Sequence, residues 1–349
     1  MDEEKKSKYL KLTLGILVFI FVIAIIGVAW YKFIKPATFF VPDLGQQENI
    51  KQSVVAGNKL IVEDTKKQTT LMFVGDIMLS RAVEDKMKKL NNWNWPFEKI
   101  AAYLASADLT FGNLEGPISS QGRNIGSIYS FRADPRAIGG LKYAGFDIVS
   151  VANNHIGDWT KIAMDDTFAI LKEGGIDIAG GGLNKQEAHT AVIKEINGVK
   201  LGFLAYTALG AKYTEATASS SGIAWVKKEI MAQDIAEAKK ISDFIIVSLH
   251  FGDEYKQKSN DFQKDIARSA INAGVNLVIG HHPHVVEETE QYNGGFIAYS
   301  LGNFIFDQSF SKETMAGILL KVILEGKDVK SIEPVKITIS KQFQASLGQ

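Results

Sequence analysis

Five short blocks of polar residues carry side chains that can hold a metal ion or move a proton. They are Gly75-Asp76, Asn113-Leu114-Glu115, Asn153-Asn154-His155, His250, and Gly280-His281-His282-Pro283-His284. Five of the six histidines fall in these blocks. The sixth, His189, lies in a polar stretch and is expected at the surface. Imidazole nitrogens together with carboxylate and amide oxygens suit Zn, Mn or Fe. Three or four imidazoles argue against a hard-ion site for Mg or Ca. A carboxylate between two imidazole-rich groups can bridge two ions, and two ions about 3.5–4 Å apart can activate a water and clamp a phosphoryl oxygen.

Each block taken singly has a plainer role. An aspartate at a strand end before a helix serves as an N-cap, which is the simplest use of Asp76. Asn113 and Asn153 could be turn residues, and His155 alone could be a structural histidine. The His281–His284 block resists such a reading, because three imidazoles in four residues have no common packing role.

The elements around the blocks explain why they could meet. Apolar, strand-like runs occur at 70–74, 109–111, 147–151, 176–179, 191–195, 200–206, 244–249, 277–279, 296–300 and 317–324. The blocks follow five of these runs directly, and in α/β sheets ligands bind outside the carboxyl ends of the strands. Helix-like stretches occur at 81–89, 97–105, 135–144, 164–173, 227–240 and 261–273, several of them closed by Gly145, Gly174 or Gly274. Asn197-Gly198 between two runs signals a tight hairpin. Early strand–helix alternation and later hairpins predict an α/β domain with mixed sheets.

Composition narrows the function. Lys plus Arg and Asp plus Glu number 39 each, so the formal charge is zero. A nucleic-acid binder would show a basic excess, and none is expected as a partner. Cysteine is absent, which removes disulfides, thiolate ligands and a cysteine nucleophile.

Residues 12–31 contain no charged side chain and end in Trp30-Tyr31. Twenty residues of helix reach about 30 Å, the thickness of a bilayer's hydrocarbon core. Lys5, Lys6, Lys8 and Lys11 precede the run, against Lys32 and Lys35 after it. That bias places residues 1–11 in the cytoplasm and the rest outside, on a single-pass anchor in the cell membrane. Residues 28–31 make a poor cleavage site. The expected order is tail 1–11, anchor 12–31, stalk 32–68, globular domain 69–341 and C-terminal tail 342–349.

Taken in order, Phe73-Val74-Gly75-Asp76-Ile77-Met78, Gly112-Asn113-Leu114-Glu115, Val151-Ala152-Asn153-Asn154-His155, His250-Phe251-Gly252-Asp253-Glu254-Tyr255, Gly280-His281-His282-Pro283-His284 and Ser300-Leu301-Gly302-Asn303-Phe304 resemble the CapA family of capsule and poly-γ-glutamate synthesis proteins. The resemblance runs from about Thr70 to Gln308. It implies a calcineurin-like metallophosphoesterase fold, two mixed sheets sandwiched between helices, with up to two divalent ions (Mn, Zn or Fe) between them. Carried over, Asp76 would be a first-metal ligand, Glu115 would stand where a bridging Asp usually is, and Asn154 and His250 would hold the second ion. His282 and His284 would be the paired imidazoles, although His281 or His282 could take the first of those places. His155 would be the general acid or polarise a phosphoryl group. Arg81, Arg132, Asn113, Glu254 and His281 are the expected substrate-side residues.

The chain departs from the broader class at Met78, where a histidine is usual, and a thioether is a poor ligand for borderline ions. Two functions follow as expectations. One is a metal-dependent hydrolase on the outer face of the membrane, acting on a phosphoester or an anionic polymer. The other is a non-catalytic accessory that binds an anionic polymer and couples to a membrane-bound synthase.

Overall fold

The computed structural model describes residues 67–348, so the expected anchor at 12–31 and nearly all of the stalk lie outside the described residues. Among the described residues no helix is long and apolar enough to cross a membrane.

The apolar runs pair into two mixed sheets. The larger has the order β16 (Ala345–Leu347), β15 (Asp328–Ile339), β14 (Ala316–Glu325), β1 (Gln68–Ile77), β2 (Leu109–Leu114), β3 (Ile148–Ser150) and β4 (Asp177–Ala179), with β13 (Asn303–Ile305) also paired to β1. The smaller has the order β11 (Thr289–Tyr292), β12 (Gly295–Ala298), β10 (Leu277–His281), β9 (Phe244–His250), β7 (Val199–Thr207) and β6 (Val192–Ile196). A ribbon of β5 (Gly181–Gly182) and β8 (Gly222–Ile223) stands apart. Strands β1 to β4 are mutually parallel, as are β7, β9, β10 and β12. Central parallel strands are covered on both faces, which is why β1 and β9 read as continuous apolar runs rather than alternating ones.

Alternation along the smaller sheet decides what each face touches. Leu201, Phe203, Phe244, Ile246, Leu277 and Ile279 join the core of the larger sheet. There Phe203 stacks on Phe111, ring centroids 5.8 Å apart. Leu204, Tyr206, Ile245, Val247 and Val278 point the other way and form a second core with two helices. Burying side chains of this size contributes about 1.5–3 kcal/mol each.

The helices are α1 (Arg81–Leu90), α2 (Ala101–Leu104), α3 (Ile138–Ala144), α4 (Thr160–Glu173), α5 (Lys185–Ala188), α6 (Lys228–Ala238) and α7 (Asp261–Ala273). Val83 and Met87 of α1, Leu141 of α3, and Met164, Phe168 and Leu171 of α4 belong to the first core. Met231 and Ile235 of α6 and Ile266 and Ile271 of α7 belong to the second. The arrangement is the expected one of two mixed sheets between helices. Helix α7 begins with a capping box in which Asn260 and Gln263 bond each other's backbone N–H. Asn197 and Gly198, both at positive φ, close the β6–β7 hairpin as predicted.

Three expectations need correction. The stretch 97–105 is not one helix. A 3-10 turn at Trp95–Phe97, begun by Pro96, precedes the single turn of α2. Residues 342–349 are not a free tail, because β16 pairs β15 antiparallel and buries Ala345. His189 is half-buried rather than freely exposed. Its side chain is 9% exposed and its Nδ1 lies 2.7 Å from Asp234 Oδ2.

Candidate metal centre

Two strand ends from each sheet build the site. In the larger sheet Asp76 is in register with Asn113, and Glu115 follows β2 directly. In the smaller sheet His250 is in register with His281. The backbone from Tyr299 to Asn303 runs between them. Gly302 O accepts from Asp76 N at 3.0 Å, and Leu301 N donates to Gly280 O at 3.2 Å. That approach explains both motif glycines. A Cβ on Gly75 would sit 1.9 Å from Gly302 O, and one on Gly280 would sit 1.8 Å from Tyr299 O. Beyond β10 the chain turns sharply, with His282 at φ 99° and His284 at φ 58°. Such left-handed backbone is costly for a side-chain-bearing residue and persists where packing over-determines it. The turn brings the two rings to 5.8 Å, and the His250 ring lies 5.0 Å from His282.

The side chains converge. Asp76 Oδ1 lies 2.9 Å from Asn113 Nδ2 and 3.0 Å from His281 Nδ1, while Asp76 Oδ2 accepts from His282 N at 3.2 Å. His284 Nδ1 is 3.4 Å from Asp76 Oδ2, and its Nε2 is 3.6 Å from Glu115 Oε1. His250 Nε2 lies 2.7 Å from Asn154 Oδ1. Ligand atoms of Asp76, Glu115 and His250 all fall within 4.8 Å of one another, as do those of Glu254, His282 and His284. Asp76, Glu115, His250, His281, His282 and His284 are all buried.

The cluster is left unsatisfied by protein alone. Both oxygens of Glu115, Nε2 of His281 and Nδ1 of His282 are buried without a hydrogen-bond partner. An unpartnered buried carboxylate costs several kcal/mol, on the order of 1–3 or more, so the donor set fits divalent cations. Burial pushes Glu115 well above the usual carboxylate range, with His284 opposing and Asp76 reinforcing the shift. Burial also acts on Asp76, but hydrogen bonds from His281 and His284 outweigh it and hold that group well below its usual range. Burial and the neighbouring His282 drive His250 well down, and burial with His284 drives His282 to about 3. His284 goes the other way. Burial would lower it, but Glu115 and Asp76 raise it to about 9. His284 and Glu115 are thus the pair that competes for a proton, and His250 and His282 are the neutral imidazoles able to ligate.

His155 closes one side. Its Nδ1 lies 2.7 Å from Asp158 Oδ2, which also accepts from Phe131 N at 2.8 Å, and its Nε2 is 3.9 Å from Glu115 Oε1. The Phe131 ring lies over the imidazole at 4.0 Å. Asn153 fulfils its turn role, accepting from the N–H groups of His155 and Ile156. Asp76 is no N-cap, since α1 is preceded by Ser80. The Met78 sulfur accepts from Ser80 N at 3.2 Å and Ser80 Oγ at 3.0 Å.

The expected substrate-side residues part company. Asn113 and His281 lie inside the cluster on Asp76, and Glu254 groups with two imidazoles. Arg81 stands at the rim, bonded to Asp307 Oδ1 at 2.9 Å with its guanidinium 5.3 Å from the Phe131 ring. Arg132 instead stacks on Trp159 at 3.5 Å and donates to Gln121 O. Two contributors escaped the sequence reading. Asp158 could have been found as a carboxylate three residues after His155. Asn303, whose Oδ1 lies 3.0 Å from His284 Nδ1, stood in a quoted motif without a role.

The model of the bacterial capsule synthesis protein PGA_cap matches residues 70–308. The chain belongs to that family. The PGA biosynthesis protein CapA of Bacillus subtilis is 34% identical to this PGA_cap member over 243 residues, covering 69% of this chain and 64% of the relative. The capsule biosynthesis protein CapA of Bacillus anthracis is 28% identical over 281 residues, covering 78% and 68%. The chain thus spans about two thirds of the length of these relatives. Among solved structures, NAD nucleotidase of Haemophilus influenzae superposes with a TM-score of 0.44 at 10% identity, covering 81% of this chain and 60% of that one. A 5'-nucleotidase precursor of Thermus thermophilus gives 0.45 at 11%, covering 80% and 54%.

Proposed function

We propose that this PGA_cap member is a membrane-anchored, extracytoplasmic, metal-dependent hydrolase of capsule or poly-γ-glutamate assembly, acting on a phosphoester or an anionic polymer. The observation that carries the reading is Glu115, whose two buried oxygens lack any donor while imidazoles and Asp76 surround them. Asp76, Glu115, His250 and Asn154 would hold one ion, and Glu254, His282 and His284 a second. Bound there, such ions would supply Lewis acidity and an activated water.

The chain's own residues would do the rest. Asp158 fixes the His155 ring by accepting from Nδ1–H, which leaves Nε2 facing the cluster. In its imidazolium form the ring would hand the Nε2 proton to a leaving oxygen, remaining neutral with its proton on Nδ1, or hydrogen-bond an anionic substrate group through Nε2–H. Phe131 screens the ring from water, and Arg81 beyond it would meet the substrate's negative charge. The Lys-flanked segment 12–31 would hold this site at the outer membrane face, near a membrane-bound synthase.

One observation favours the second reading, a polymer-binding accessory without turnover. Met78 is committed to Ser80, so the first strand supplies one ligand rather than two. The two readings separate in one experiment. The full-length chain in detergent, loaded with Mn or Zn, is assayed against phosphomonoesters, phosphodiesters and γ-glutamyl polymer. Turnover that falls about 10²–10⁴-fold in His155→Ala, with metal content unchanged, supports the hydrolase. A loaded wild-type chain that binds polymer but turns over none of these sinks it and leaves the accessory reading.

A further inference from the structure

A second polar cluster lies on the outer face of the smaller sheet and shares no residue with the metal centre. Tyr206 of β7, His189 after α5 and Asp234 of α6 meet at one oxygen. Asp234 Oδ2 accepts from Tyr206 OH at 2.9 Å and lies 2.7 Å from His189 Nδ1. Burial and the adjacent carboxylate push Tyr206 well above the usual phenol range, so the hydroxyl stays a donor. The cluster forms part of the wall of a cavity of about 670 Å³. That size falls within the roughly 300–1,000 Å³ typical of small-molecule sites.

The partners already present decide what the cavity would accept. The carboxylates on its wall are committed, Asp234 to Tyr206 and His189, and Glu237 to Lys240. Asp234 engages Nδ1 of His189, which leaves Nε2 as the ring's uncommitted nitrogen. Lys185 also lines the cavity, and its ammonium makes no ion pair or hydrogen bond among the described residues. Its field reaches Glu215, which Lys227 already pairs. The side-chain amides of Gln186 and Gln233 are likewise uncommitted, and Ile241 contributes an apolar wall. The free groups are thus one ammonium, one imidazole nitrogen and two amides, which together recognise a carboxylate on a short, partly apolar or amide-bearing body.

We propose that the cavity between α5 and α6 is a second binding site, for a carboxylate-bearing small molecule the size of one or two amino-acid residues, read by Lys185 and by His189 held on Asp234. A carboxylate would lie against the Lys185 ammonium beside His189, and the amides of Gln186 and Gln233 would meet the rest of the ligand. Because no metal-centre residue takes part, binding here stands or falls independently of any hydrolysis there.

The test uses the full-length chain in detergent with histidine Cε1 labelled for magnetic resonance. The His189 signal is identified by its loss in His189→Asn. Glutarate and L-glutamate are titrated in, with inorganic phosphate as a separate arm. The expected result is a saturable shift of the His189 signal with the carboxylates while the five metal-block histidine signals stay in place. Lys185→Met, with those five signals unchanged as proof of folding, should weaken binding about tenfold, or about 1.4 kcal/mol. Three outcomes would overturn the proposal: no saturable His189 shift, equal affinity in Lys185→Met, or phosphate binding as tightly as the carboxylates.

Discussion

His284 Nε2 stands 3.6 Å from Glu115 Oε1, and its other nitrogen stands 3.4 Å from Asp76 Oδ2, so one imidazole sits between two buried carboxylates. Neither oxygen of Glu115 finds a hydrogen-bond donor. These two separations are too long for good hydrogen bonds and suited to a cation placed between the groups.

Replacing Glu115 by Gln tests this directly. The substitution removes a buried, raised carboxyl from the metal-free protein, so melting of the metal-free chain at neutral pH should be unchanged or higher. The stabilisation that wild type gains from Mn or Zn should be largely lost, because binding only to the folded state is what raises the transition. Differential scanning with and without metal reads both. A metal-induced rise as large as that of wild type would rule Glu115 out as a ligand.

Metal affinity should depend on pH with a definite sign. His284 is raised to about 9 by Glu115 and Asp76 and must lose its proton to ligate. Below that value an ion bound between His284 and the raised Glu115 releases at least one proton from the pair, so affinity should climb at least tenfold per pH unit from 7 toward 9 and then level off. Calorimetry at pH 7 in buffers of different ionisation enthalpy counts the proton. Zero release would mean that another residue takes the place of His284.

Met78→His restores the imidazole that the first strand lacks. The cost is the pair of contacts from Ser80 to the sulfur, about 1 kcal/mol of stability. The expected gain is a metal-to-chain ratio closer to two at limiting Mn or Zn. Wild-type protein that already binds two ions with equal affinity would show that His281 or His284 fills the place.

Glu287 offers a stability test outside the cluster. It is buried with Oε1 unpartnered, while Gln263 Nε2 donates to Oε2 at 2.6 Å. Burial raises it to about 7, against the opposing bond from Gln263. The folded state thus holds a proton that the unfolded chain gives up near 4.5, so stability falls as pH rises from about 4.5 through about 7. Glu287→Gln keeps an acceptor for Gln263 and should flatten that fall, raising the melting temperature most above pH 7. An unchanged slope would show that Glu287 ionises without penalty.

Much of this centre can be read from the chain because its residues terminate strands. Asp76, His250 and His281 follow apolar runs that leave little doubt about strand ends, and parallel pairing then aligns those ends. What escaped depends on contacts between distant segments. Asp234 lies 45 positions from His189, and nothing local to either predicts that one carboxylate would bury the other's ring. Likewise β16 is three residues long and gains its meaning only from β15. The arginines show the same limit. Proximity in sequence to a motif placed Arg81 at the rim, but the neighbour of Phe131 turned to Trp159 instead.

The backbone from Tyr299 to Asn303 touches a motif glycine on each sheet, immediately before Asp76 and immediately before His281. It therefore acts as a fixed spacer between the two halves of the centre. The sheets cannot slide past each other without breaking a main-chain hydrogen bond at Asp76 or at Gly280. The spacing between Asp76 on one sheet and His281 on the other is accordingly tied to peptide geometry as well as to side-chain contact. A single methyl group at Gly75 or Gly280 would change that separation while leaving every proposed ligand in the sequence.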